Sequence, residues 1–87
     1  MAKHFFWNEL NASDFATLDP ERTIAILPTA STEQHGPHLP LSTDVTIGEG
    51  LLAGALEQID TDSAPVLVLP TMAIAASPEH SSFAGTL

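Results

Sequence analysis

Apolar positions in this chain gather into two short runs and one periodic stretch, separated by polar, proline-bearing segments. Thr23-Ile24-Ala25-Ile26-Leu27 is a compact apolar run with β-branched residues, stopped by Pro28, and reads as a buried strand. Val66-Leu67-Val68-Leu69, stopped by Pro70, reads as a second buried strand. Between them Val45, Leu52, Leu56 and Ile59 fall on one stripe, widened by Ile47, Leu51 and Ala55. That stripe predicts a helix over about residues 44–59, capped by Ser42 or Thr43. Gly48, Gly50 and Gly54 weaken such a helix, and close approach to a sheet is the expected reason for small residues there. Strand, helix, strand at this spacing is a βαβ unit, which implies a parallel pair with a right-handed crossover. Upstream, Phe5 to Leu18 is amphipathic but short. Ser13 or Asp14 is placed to cap a brief helix over residues 15–18, stopped by Asp19-Pro20.

Length changes this picture. The chain has 87 residues, room for one domain. A chain of this size buries only ~60% of its unfolded surface. Two buried strands are too few for an α/β sheet, whose parallel strands are covered on both faces. The pattern therefore predicts a fragment, or a chain completed by a partner.

Charge and composition narrow the function. Eleven acidic residues face two basic ones, Lys3 and Arg22, for a formal net charge of −9. Phosphate contacts need Lys and Arg, so nucleic acid and anionic membrane surfaces are poor partners. There is no cysteine, which excludes disulfides and a thiol nucleophile. The opening run Met-Ala-Lys-His-Phe-Phe-Trp is too short and too little charged for a signal peptide, and nothing approaches the ~18 apolar residues of a membrane span. A cytoplasmic protein is the expectation. His4, beside Phe5, Phe6 and Trp7, reads as terminal packing or an oligomer contact.

The chemistry lies in residues 29–43, a long polar loop between strand and helix, the kind that is usually functional. Glu33 and His35 stand two apart, so an extended backbone points both to one side. A carboxylate and an imidazole on one side suit zinc or manganese. Gly36-Pro37 turns the chain, and the loop can return so that Asp44, at the helix start, faces them. A carboxylate there also complements the helix dipole. One carboxylate can bridge two ions, and Asp44 is the natural candidate. Three side chains do not complete a two-ion hydrolytic site, so more ligands are needed. Ser31, Ser42 and Ser77 lack a partnering base, so a serine nucleophile is rejected.

The run Glu33-Gln34-His35-Gly36-Pro37-His38-Leu39-Pro40, with Thr43-Asp44 behind it, closely resembles the signature of the creatininase family. Glu79-His80-Ser81-Ser82-Phe83-Ala84-Gly85-Thr86-Leu87 resembles its second block, Glu-His, two residues, then Phe-Pro-Gly-Thr. Ala30 stands where the family commonly has Gly, and Ala84 where it commonly has Pro. The resemblance implies an α/β fold, with residues 1–87 as the N-terminal portion of a three-layer α/β/α domain on a mostly parallel sheet. It implies a homo-oligomer, often a hexamer. It also implies hydrolysis of a C–N bond in a small cyclic or linear amide, such as creatinine or a formylated amine, by a metal-activated water. Two divalent ions, Zn or Mn, are the implied cofactors. Glu33, His35 and Asp44 match ligand positions, with the Asp bridging, and further ligands are expected outside this chain. Glu79 and His80 are candidates for orienting a ligand or for a surface pair, and His38 for lining the substrate pocket or making a structural hydrogen bond. A contrasting expectation is a catalytically silent, truncated module that binds a metal or a partner.

Overall fold

The computed structural model describes residues 4–60 and 62–87. Its frame is a parallel sheet of three short strands: β1 (His4–Phe6), β2 (Ile24–Ile26) and β3 (Val66–Val68). The order is β1-β3-β2, so β3 is central. Val66 pairs with His4 on one side and Ile24 on the other, and Val68 with Phe6 and Ile26. The β2–helix–β3 unit follows the apolar pattern. β1 does not: three residues are too few to display a period. The side chain of His4 lies outside the described residues.

Position in the sheet decides burial. All three residues of β3 are buried, with Leu67 only 1% exposed. β2 was expected to be buried and is not: Ile24 is 51% exposed and only Ile26 is partly covered. An edge strand keeps one flank open, and apolar composition alone does not distinguish edge from centre.

One helix, α1 (Thr43–Leu56), covers one face of the sheet. Leu56 packs with Val66 and Val68, and Leu52 and Ile26 close around them. The helix stops three residues short of the expected Ile59. Its N-cap residue is Ser42, yet no side-chain cap hydrogen bond forms there; the Thr43 hydroxyl instead donates to the Pro40 carbonyl at 2.6 Å. Nor do Gly48, Gly50 and Gly54 mark a close approach, because a Cβ on any of them would meet nothing within 4 Å. Ile47 and Leu51, 56% and 72% exposed, sit on the outer side. α1 is thus apolar on both sides, the pattern of a helix built to be covered all round.

On the other sheet face a 3₁₀ segment, Ala12–Thr17, replaces the expected short helix. Its start is held at Asn11, whose backbone N–H donates to the Asp14 carboxylate at 2.8 Å. Trp7 and Phe15 pack with ring centroids 4.7 Å apart, and with Leu18 and Leu67 they line a cavity of about 320 Å³. Asp19 then organises the entry to β2, its carbonyl accepting from the Arg22 and Thr23 backbone and its carboxylate from the Glu21 N–H.

Candidate metal centre

The two loops that carry the candidate residues leave the sheet at the carboxyl ends of adjacent parallel strands, where open α/β sheets bind ligands. Past Pro28 and Pro70 the two chains stay paired. Thr29 bridges Met72 in parallel, the Ala30 N–H donates to the Met72 carbonyl, and the Thr32 hydroxyl donates to the Ala73 carbonyl at 2.7 Å. This pairing delivers residues 33–44 and 77–87 to one end of the molecule.

Gly36 sets the turn of the first loop. Its φ of +73° is a left-handed conformation that L side chains rarely adopt. The turn is closed by an antiparallel bridge between His35 and Leu39. His38 sits at its exposed tip, outside the cluster formed by its neighbours. Among the described residues no hydrogen bond anchors it, so the expected structural bond is not seen. The chain then returns through Leu41, whose carbonyl accepts from the Glu33 N–H, and α1 begins with Asp44 in its first turn.

Glu33, His35 and Asp44 converge: one donor atom from each lies within 4.8 Å of the others. The His35 ring is held between two acceptors. Nδ1 lies 3.1 Å from the Glu33 carbonyl and Nε2 3.0 Å from Asp44 Oδ1. Two flanking acceptors favour the doubly protonated ring. The bond to the Glu33 carbonyl raises the His35 pKa, desolvation opposes it, and the Asp44 charge adds to the rise. A cation at this site would take the place of the proton on Nε2, while Nδ1–H would keep its carbonyl and fix the tautomer, a common arrangement for a ligating histidine.

Glu33 is the buried member, 9% exposed, and its Oε2 has no hydrogen-bond partner. A buried carboxylate oxygen left unpartnered is costly unless a proton, donor or cation meets it. Two carboxylates and an imidazole, one carboxylate with an orphaned buried oxygen, fit a divalent cation.

The second block adjoins the first. Glu33, Glu79 and His80 also bring donor atoms within 4.8 Å of one another, so Glu33 belongs to both groups. Glu79 is exposed and His80 partly buried, at the end of a 3₁₀ turn, Pro78–His80. His80 Nε2 lies 3.6 Å from Glu33 Oε2, and its ring is parallel to that of His35 with centroids 6.3 Å apart. Ser77, set aside as a nucleophile, is buried here with its hydroxyl unpartnered.

Residues 8–87 match the family described as creatinine amidohydrolase, Creatininase. The chain belongs to the creatininase family. Among its relatives, a protein of Mycobacterium tuberculosis named mycofactocin precursor peptide peptidase is 36% identical over 84 residues, covering 91% of this chain and 34% of the relative. Proteins of the same name from Mycolicibacterium smegmatis and Mycobacterium ulcerans are 42% identical over 65 residues and 41% identical over 86 residues. These alignments cover 74% and 91% of this chain and 26% and 33% of the relatives. The chain thus spans about a third of the length of the curated creatininase-family proteins it matches. No solved structure matches it. The parallel sheet and its helix are compatible with the α/β class. No helix among the described residues is long and apolar enough to cross a membrane.

Proposed function

We propose that this chain supplies part of the metal centre of a hydrolase that cleaves an amide C–N bond. The convergence of Glu33, His35 and Asp44 at the carboxyl end of a parallel sheet carries the reading. These three residues would hold the ions, with Zn or Mn suited to the mixed carboxylate and imidazole set. Asp44 is assigned as the bridge between two ions, as the family resemblance implies. Bound divalent ions supply Lewis acidity toward a carbonyl oxygen and lower the pKa of water.

The chain's own residues prepare that chemistry. Glu33 and Asp44 provide the negative charge that offsets a cation. His35 presents Nε2 because Nδ1–H is committed to the Glu33 carbonyl. Gly36 folds the loop so that ligands from the loop and from α1 meet. Burial of Glu33 keeps one carboxylate away from bulk water.

The name shared by the mycobacterial relatives supports a peptide as substrate, ahead of creatinine or a formylated amine. The activity is assigned to a protein of the relatives' full length, in a three-layer α/β/α domain that would provide the remaining ligands and the pocket. A cytoplasmic homo-oligomer, hexameric as in the family, completes the proposal.

The test has two arms. The 87-residue chain is dialysed against Zn and Mn and its metal content measured; retention that Asp44→Ala abolishes is expected. A full-length protein carrying this sequence is then assayed on peptides, creatinine and formylated amines. Peptide cleavage that stops with a chelator and returns with Zn or Mn is expected. A folded chain that retains neither ion ends the metal reading, and turnover of creatinine alone replaces the substrate class.

A further inference from the structure

We propose that His80 positions the Glu33 carboxylate for metal binding, an inference that rests on the metal centre proposed above. Three buried side-chain atoms among the described residues lack a hydrogen-bond partner: Glu33 Oε2, Ser77 Oγ and His80 Nδ1, the ring nitrogen on the side away from Glu33. His80 Nε2 faces the orphaned Glu33 Oε2 at 3.6 Å. That distance is an electrostatic contact, just beyond a hydrogen bond. Shortening this contact would give Oε2 a donor. Oε1 would then be the oxygen left for a cation. A donor on one carboxylate oxygen selects which oxygen, and which lone pair, meets the cation.

The fold holds His80 in place for this task. Its backbone N–H donates to the Ser77 carbonyl at 3.0 Å, and its own carbonyl accepts from Phe83 at 3.0 Å. The Phe83 ring lies against the imidazole, with centroids 6.3 Å apart. Gly85, at φ +91°, turns the chain back on the Glu33 segment. There Thr86 Oγ1 accepts from the Gln34 N–H, and the Leu87 N–H donates to the Thr32 carbonyl. Glu33 is thus bracketed by tethers from the block that carries His80. The parallel offset of the two imidazoles places His80 beside the Glu33 carboxylate while His35 Nε2 faces that of Asp44, so the two rings contact different carboxylates.

The experiment measures Zn and Co(II) affinity of the 87-residue chain as wild type, His80→Ala, His80→Gln, Glu33→Gln and the His80→Ala/Glu33→Gln double variant. Folding of each is checked by circular dichroism. His80→Ala should weaken binding by about 10- to 100-fold. The Co(II) visible spectrum should keep its shape, because no ligand is lost. His80→Gln, which retains an N–H donor, should recover much of the affinity. In the Glu33→Gln background, loss of His80 should cost little more, because it acts through Glu33. If His80→Ala does not fold, His80→Gln takes its place in the cycle, with a smaller loss that again vanishes in the Glu33→Gln background. Wild-type affinity in His80→Ala overturns the inference, as does an equal loss in both backgrounds. A Co(II) spectrum that loses an imidazole band makes His80 a ligand and overturns it too. A wild-type chain that binds neither ion removes the metal centre itself, a result distinct from wild-type binding that ignores His80.

Discussion

Glu33, His35 and Asp44 differ in what each loses on substitution. Asp44, as the proposed bridge, would touch both ions, so Asp44→Ala in a full-length protein should strip both. Glu33→Ala and His35→Ala should each weaken one, since water can partly replace a terminal ligand. Metal content of the three purified variants decides this. The geometry supplies a sharp alternative, because Glu33 is the residue shared by both donor groups. If Glu33→Ala loses both ions while Asp44→Ala keeps one, the bridge is Glu33. Gly85 matters for another reason. Its φ of +91° strains any other residue, and a Cβ there would meet the Leu41 Cδ1 at 2.8 Å. The Leu41 tip can move, so the backbone strain dominates. Gly85→Ala should cost about 1–3 kcal/mol, read as a lowered Tm, and should weaken Zn binding by loosening the His80 block. An unchanged Tm would mean that the turn relaxes without cost.

α1 carries two apolar sides with different standing. Leu56 is 4% exposed and packs on β3, so Leu56→Ala should cost about 2–5 kcal/mol. In a chain this small, that loss approaches the whole stability, and thermal melting should show little cooperative transition. Leu51 is 72% exposed. Leu51→Ala should change stability by less than about 0.5 kcal/mol. Leu51→Glu should reduce self-association, measured by light scattering against concentration, because it interrupts an apolar surface. Equal destabilisation by Leu51→Ala and Leu56→Ala would contradict the described helix orientation.

The whole molecule is open. Its radius of gyration is 16.1 Å and its extents are 46 × 25 × 19 Å. A compact domain of this length has a radius near about 12 Å. Ile24, Leu27, Ile47, Leu51 and Ile74 all remain largely exposed. So much uncovered apolar surface predicts low stability and no completed substrate pocket. The isolated chain should bind metal yet leave peptides, creatinine and formylated amines uncleaved, while a protein of the relatives' length cleaves one of them. Robust metal-dependent turnover by the purified 87-residue chain would show that the cluster needs no further ligand.

Local order was legible along the chain. The prolines after each apolar run ended β2 and β3, the 3.6-residue stripe gave α1 to within a turn, and Glu33-x-His35 with Asp44 named one donor cluster, because each is set by near neighbours. The family signature was likewise written in contiguous residues. What required the tertiary structure was pairing and burial. β1 became a strand only by adding to the free edge of β3, and β2 was exposed because β3 took the centre. Both outcomes depend on hydrogen bonds between segments some 40 to 60 residues apart, which no local pattern encodes. The meeting of His80 with Glu33 is of the same kind. It depends on parallel pairing beyond Pro28 and Pro70 and on the turn at Gly85, so side chains 47 positions apart in sequence share one site only after the sheet has formed.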